Sequence, residues 1–321
     1  MRWRILGILL SVWASSATAA DRIRIAAQKT GTLAWELDII KAHGLDTQAG
    51  LELAVTELAS PEAGKIALKG GAADLIVADW MWVARERALG GRLVTYPYSS
   101  TLGAVMARPE RGLRTVADLK GRKLAVAGGP IDKSWLLLQG FARKSGLDLK
   151  TDATLVYGAP PLLTQKAIQG ETDATLTYWN FAAELEGKGF VRVVDMADVQ
   201  TALGASAPVA IIGYAFDGAW GERNRGAVDR FLAIAQTAKE RLASSPEEWQ
   251  RIAPRLGAVD AAGLAVIARR YAEGVPRRPV AEEAADARRL YDVLAAIGGE
   301  ALVGPGKGLD AGMFWKPEQG R

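Results

Sequence analysis

Apolar residues recur along this chain in two rhythms, short runs at strand spacing and longer stretches at helical spacing, and the two alternate. Arg22–Ala27 alternates charged and apolar residues as a half-buried strand does, and Thr32–His43 follows as a helix ended by Gly44. Leu51–Leu58 reads as the next strand, and Ser60-Pro61-Glu62 opens a helix with a cap and a first-turn proline that runs to Gly70-Gly71. Strand Asp74–Ala78, helix Trp80–Leu89 and strands Leu93–Tyr98 and Gly103–Arg108 complete a first α/β lobe, and the polar turn Pro109–Gly112 is where the chain is expected to leave it. The logic then repeats: strand Lys123–Ala127, helix Ile131–Lys144, strand Ala153–Tyr157, helix Pro161–Gln169, strand Ala174–Leu176, helix Phe181–Glu186 and strand Phe190–Val194. Val209–Ala215 reads as the strand that returns to the first lobe. From Trp220 onward the pattern is helical, with stretches around Val228–Ala238, after Ser245-Pro246, over Asp260–Glu273 and over Ala281–Ile297. The expected organisation is α/β in two lobes, residues 21–108 plus 214–321 and residues 109–213, with a helical C-terminal region.

One unit recurs in both lobes: an apolar strand, a turn of residues suited to ligands, then a helix opening. It follows Arg22–Ala27, Asp74–Ala78, Lys123–Ala127 and Ala174–Leu176. Parallel strands feeding helices bring such turns to one edge of a sheet, where open α/β folds hold ligands. The turns here carry Trp, Asp, Lys, Thr and Asn but no catalytic set, which points to holding a molecule rather than transforming it.

The N-terminus narrows the setting. Met1-Arg2-Trp3-Arg4, the apolar Ile5–Trp13 and the small residues up to Ala17-Thr18-Ala19-Ala20 form the three regions of a cleavable export signal, residues 1–20, and the apolar stretch is shorter than the roughly 20 residues of a membrane span. The chain has no cysteine, so neither a disulfide nor a lipid-modified N-terminal cysteine is available, and a periplasmic, non-lipoprotein location is expected. The net charge of +4 falls to about +2 once Arg2 and Arg4 leave with the signal, and the remaining charges are too scattered for a nucleic-acid footprint. His43 is the sole histidine and sits at a helix end, which leaves no Cys–His pair, no histidine relay and no zinc set.

Three segments carry a resemblance. Gly70-Gly71-Ala72-Ala73-Asp74-Leu75-Ile76 is similar to a "G-x-A-D" step into a buried strand. Ala117-Asp118-Leu119-Lys120-Gly121-Arg122-Lys123-Leu124-Ala125-Val126 resembles a "D-L-K-G-K-x-V-A-V" opening of a second lobe. Ala167-Ile168-Gln169-Gly170-Glu171-Thr172-Asp173-Ala174 resembles an "A-L-x-x-G-x-V-D-A" step. In this order they resemble the exported solute-binding proteins of nitrate/sulfonate/taurine-type ABC importers, over about Arg22 to Ala215. The resemblance implies a type II periplasmic-binding fold whose two lobes close on a solute, with an inner-membrane permease and an ATPase as partners. A monomer with no cofactor and no enzymatic activity is expected.

The turns supply the candidate ligand residues. Lys29, Thr30 and Gly31 precede the first helix, whose N-terminus can hold a polar or anionic head. Asp79 and Trp80 follow the third strand, as an amine partner or helix cap and as an aromatic wall. Asp132, Lys133 and Ser134 open the second lobe's first helix, where sulfonate and nitrate binders usually present Gly-Ser or Gly-Thr. A carboxylate there, unless Lys133 offsets it, disfavours a simple sulfonate and suits a zwitterionic, amine-bearing or hydroxyl-rich solute equally well. Trp179 and Asn180 follow strand Ala174–Leu176 and suit a planar solute. Tyr96–Thr101 could line the cleft floor. Two other readings stay open: a periplasmic accessory that binds a protein or cofactor, and a cytosolic-type lyase or synthase on the same fold, resembling menaquinone-pathway lyases or thiamin-pyrimidine synthases.

Overall fold

A computed structural model describes residues 20–257, 259–306 and 308–318. The expected export signal, residues 1–20, lies outside the described residues except for Ala20. The chain begins with β1 (Asp21–Gln28), α1 (Thr32–Ala42), the single turn α2 (Leu45–Gln48), β2 (Leu51–Leu58), α3 (Pro61–Lys69), β3 (Leu75–Asp79), α4 (Trp80–Ala88) and β4 (Leu93–Ser99). There follow β5 (Gly103–Ala107), β6 (Lys123–Ala127), α5 (Lys133–Lys144), α6 (Leu149–Asp152), β7 (Thr154–Gly158), α7 (Pro160–Ile168), β8 (Ala174–Tyr178), α8 (Trp179–Gly187), β9 (Val191–Asp195) and α9 (Met196–Ala202). The last third holds β10 (Ile212–Asp217), α10 (Gly218–Arg223), α11 (Arg225–Ser244), α12 (Pro246–Leu256), α13 (Ala261–Glu273) and α14 (Val280–Val303).

The strands form two five-stranded sheets of matching topology, β2-β1-β3-β10-β4 and β7-β6-β8-β5-β9. In each, four strands run one way and one, delivered across the lobe boundary, runs antiparallel between two of them: β10 between β3 and β4, and β5 between β8 and β9 with Ala104 opposite Thr177. This corrects the expected boundary. Gly103–Ala107 belongs to the second sheet, so the chain crosses between Ser99 and Gly103, ahead of the turn at Pro109. An apolar run reveals that a strand exists but not which sheet it joins. The return crossing ends where β10 begins, at Ile212.

The aspartates of the first and third resembling segments, Asp74 and Asp173, have the same physical role. Asp74 accepts from the backbone N–H of Arg24 at 2.8 Å, and its own N–H donates to the Arg24 carbonyl at 2.8 Å. Asp173 repeats this with Lys123 at 2.9 Å in both directions. Each aspartate pins the start of one parallel strand to its neighbour and so sets the level at which the strand tips end.

The C-terminal helices, expected in the first lobe alone, straddle both. Helix α13 packs on α8 of the second lobe and α11 of the first. It meets α8 backbone to backbone: a Cβ on Gly187 would stand 2.8 Å from the Cα of Gly263. Just before that crossing, Glu186 receives Arg192, Arg269 and Arg270, with Arg270 Nε at 2.9 Å. Helix α14 lies on α5, where Gly140 faces Val293 and Ile297. It breaks helical geometry at Gly299 (φ 59°) and continues to Gly304, which sits against Arg85 of α4. No described helix is long and apolar enough to cross a membrane.

Two carboxylates in this bracing give stability a pH dependence. Burial pushes Glu186 up, but three arginines more than reverse it and hold it down to about 2. Burial likewise opposes ionisation of Asp286, yet Ser206 and Arg278 hold it down to about 2. Both groups ionise more readily folded than unfolded. Their contribution is therefore complete above the ordinary carboxylate range near pH 4 and is lost as pH falls toward 2. Urea midpoints are expected to be similar at pH 7 and 5.5 and to drop below pH 4, with a shallower drop in Glu186→Gln; a flat profile down to pH 2.5 would contradict this.

Candidate functional site

The tips of β1, β3, β6 and β8 converge between the lobes, and their following helices meet two different fates. Helix α4 is capped by Asp79, which accepts from the Trp82 N–H at 2.8 Å, and α5 is capped by Asp132, which accepts from the N–H groups of Ser134 at 2.9 Å and Trp135 at 3.3 Å. Both N-termini are thus filled by the chain's own carboxylates. Helices α1 and α8 open with no side-chain cap and no acid in the first turn.

Beside those two open ends the lobes leave a small gap, a cavity of about 10 Å³, lined by Thr32, Glu36, Tyr98, Ser99, Trp179, Lys239, Tyr271, Gly274 and Val275. Trp179 comes from the second lobe and packs edge-on against Trp35 of the first, ring centroids 5.8 Å apart. On the other wall, Glu36 and Lys239 form a buried ion pair, with side chains 1% and 4% exposed. Tyr271 donates to Glu36 Oε1 at 2.7 Å and Tyr214 to Oε2 at 2.9 Å. The Lys239 ammonium stands 3.8 Å from the centre of the Tyr98 ring, and Tyr98 shares a 2.7 Å hydrogen bond with Thr32. Burial drives the Tyr98, Tyr214 and Tyr271 phenols well above their ordinary range, and the Glu36 carboxylate adds to it, so all three remain neutral hydroxyls. Burial also lowers the Lys239 ammonium, against the opposing pull of Glu36.

A polar contact also spans the lobes. Lys133 of α5 reaches Asp79 at the tip of β3, Nζ to Oδ2 3.0 Å, and Lys65 approaches the same oxygen at 3.7 Å. Burial pushes Asp79 up, but the two lysines and the Trp82 N–H bring it below the usual carboxylate range. Burial alone would lower Lys133; Asp79 and Asp132 raise it instead. Asp132 goes the other way, raised by burial despite Lys133, and also receives the Tyr178 hydroxyl at 3.3 Å. The Lys133–Asp79 pair therefore holds the two halves together. Lys133→Met is expected to shift the balance toward an opened form by about 10- to 100-fold, the value of one charged hydrogen bond. Small-angle scattering checks it: an unchanged radius of gyration would remove the latch from the account.

Of the residues singled out from sequence, the structure places Trp179 on the cavity. Gly31 caps α1 beside Thr32, while Lys29 and Thr30 are exposed at the end of β1. Asp79, Asp132, Lys133 and Ser134 form the capping and latch system, and Asn180 lies partly buried in the first turn of α8. Trp80 corrects its expectation as an aromatic wall: it is fully buried within the apolar core, because the α4 face it occupies packs inward. Sequence reading missed Glu36, Lys239, Tyr214 and Tyr271. A signal existed for the first two, since each is a charged residue on an apolar stripe, Glu36 amid Leu33, Leu37 and Ile40, and Lys239 amid Ala235, Ala238 and Leu242.

The model of the family described as NMT1/THI5 like matches residues 41–249, about two thirds of the chain. The protein belongs to the NMT1/THI5-like family. No curated protein sequence matches it. Among solved structures, this family member is similar to the periplasmic aliphatic sulphonate binding protein SsuA from Escherichia coli (TM-score 0.73, 23% identity, 94% of each chain covered). It is also similar to the alkanesulfonate-binding protein SsuA from Xanthomonas axonopodis pv. citri bound to MOPS (TM-score 0.68, 20% identity, 93% of this chain and 99% of that one). The desulfurization enzyme DSZB shares the fold at TM-score 0.60 and 17% identity, over 87% of this chain and 92% of that one. The NMT1/THI5-like chain thus has the two-lobed type II periplasmic-binding fold.

Proposed function

We propose that this NMT1/THI5-like protein is the periplasmic solute-binding component of an ABC importer, capturing a small polar organic solute by closure of its two lobes. The observation that carries the reading is the cavity between the lobes, walled by Trp179 from one and by Thr32, Tyr98 and the Glu36–Lys239 pair from the other. The gap itself is about one water in size, so a solute would enter as the lobes part there and touch both at once, and its binding energy would favour the closed arrangement over the open one. The SsuA proteins that share the fold at 20–23% identity are named as sulfonate binders, which makes sulfonates the first solutes to try. The cavity is lined by neutral donors and a self-neutralising ion pair rather than by a nucleophile with its base, which supports capture over the chemistry of the DSZB type. A cognate permease and ATPase would take up the delivered solute.

The test uses the mature protein with a broad panel of sulfonates, amino acids, amines and small carboxylates. At least one solute is expected to raise the melting temperature and to alter tryptophan fluorescence, since Trp35 and Trp179 touch across the lobes. Indifference to the whole panel would overturn the reading, and turnover of a bound solute would replace it with the enzymatic one.

A further inference from the structure

Residues 100–102 and 203–211 carry the chain between the lobes, and both crossings bond to one further stretch, the α13–α14 connection with the first turns of α14. On the outward crossing, the Ser100 N–H donates to the Gly274 carbonyl at 3.0 Å and the Ser100 hydroxyl donates to it at 3.3 Å. On the return crossing, Ser206 gives its N–H to Asp286 Oδ1 at 2.9 Å and its hydroxyl to Oδ2 at 2.6 Å. The Ala210 N–H donates to Glu283 Oε2 at 2.8 Å. Glu283 and Asp286 are 2% and 0% exposed and share the buried face of α14 with Ala287, Leu290, Tyr291 and Leu294. Carboxylates on such a face need donors, and the backbone of the crossing supplies them. Arg278 and Arg289 complete the set around Asp286, and Arg278 also donates to the Ser206 hydroxyl at 3.2 Å. Gly274 is there for space rather than for its backbone angles, which are φ −90° and ψ −2°. A Cβ on it would stand 2.8 Å from the Thr101 Cβ.

We propose that residues 274–286 are a hinge clasp: they hold both crossings in the bend of this closed arrangement, and the lobes part only as the clasp releases them. A hinge works where a few residues between rigid elements absorb the change in φ and ψ. Here those residues are the crossings, and their amides are tied to a helix that packs on α5 of the second lobe. Bending them breaks bonds to Gly274, Glu283 and Asp286 together, so the clasp weights the equilibrium toward closure. Glu283 and Asp286 do not line the gap between the lobes, so they are positioning residues that act on affinity through the lobe angle. The clasp rests on the receptor reading above and adds what regulates its closure.

The test needs no solute, so its failure is distinct from a failure of the receptor reading. Hydrogen exchange is followed at the Ser100, Ser206 and Ala210 amides of the mature wild-type chain. The three are expected to share one protection factor, below that of the central strands β1 and β6, because opening frees them together without unfolding. Ser206→Ala removes a bond from the return crossing, and Gly274→Ala crowds the outward one. Each is expected to lower protection about tenfold on both crossings, including the one it does not touch. Lobe separation is read by pulsed EPR. The chain has no cysteine, and Ile66 of α3 and Leu162 of α7 are 72% and 55% exposed, so Ile66→Cys/Leu162→Cys puts one spin label on each lobe. In that background the Ser206→Ala/Gly274→Ala pair is expected to add a longer-distance population. Amides of wild type as protected as β1 and β6, a response confined to the substituted crossing, or unchanged distances in the paired variant would each overturn the clasp. The wild-type exchange decides the matter even if a variant fails to fold.

Discussion

Glu36→Ala is expected to destabilise the protein by about 3–5 kcal/mol, the range for removing one member of a buried ion pair. The variant would leave the Lys239 ammonium, 3% exposed, with no hydrogen-bond acceptor among the described residues, and would deprive Tyr214 and Tyr271 of theirs. Each of those interior phenols would then bear part of its desolvation penalty uncompensated. The Glu36→Gln/Lys239→Met double variant is expected to recover most of the loss, because two neutral residues of similar volume remove both charges together. Urea denaturation of Glu36→Gln, Lys239→Met and the double gives the coupling between the sites. A loss below about 1 kcal/mol for Glu36→Ala would mean that water reaches the pair and screens it, as at exposed ion pairs.

Gly103→Ala should be nearly as damaging, at roughly 2–5 kcal/mol, from backbone strain and overpacking combined. Gly103 is the first residue of β5, directly after the chain crosses between lobes, and has φ +146°. A Cβ there would lie 2.0 Å from the Thr177 carbonyl oxygen and 3.1 Å from the Trp179 amide nitrogen. Both are backbone atoms, so no side chain can swing aside to relieve the contact. Relief would have to come from shifting the end of β8 and with it Trp179, so the substitution is expected to weaken solute binding as well as stability. Chemical denaturation and the fluorescence titration together check this, and a variant within about 0.5 kcal/mol of wild type would show that β5 tolerates another register.

The sequence made the local elements legible where one rule dominated. β2 and β6 match their expected ends because alternating or continuous apolar residues stop at turn residues, and α3 begins where Ser60 accepts from the Ala63 N–H. What escaped depends on contacts between distant residues. β5 was expected in the first lobe because its own residues are equally compatible with either sheet. Trp80 and Trp179 both follow a strand tip and look alike in sequence, yet one is buried in the core and the other closes the cavity. Glu36 and Lys239 lie 203 residues apart, and nothing near either one announces its partner. The aspartates at strand tips were read as ligand residue or helix cap; their capping role is visible in Asp79 and Asp132, and the pairing of Asp79 with Lys133 needed the lobes in place.

Helix α14 rests on α5 in one half of the molecule and, after the interruption at Gly299, reaches α4 in the other. A single rod bolted to both jaws would resist any change in the angle between them. A joint at the point where it passes from one jaw to the other gives the molecule a jointed spine in place of a rigid brace, so that the jaws can swing while their back edges stay in touch.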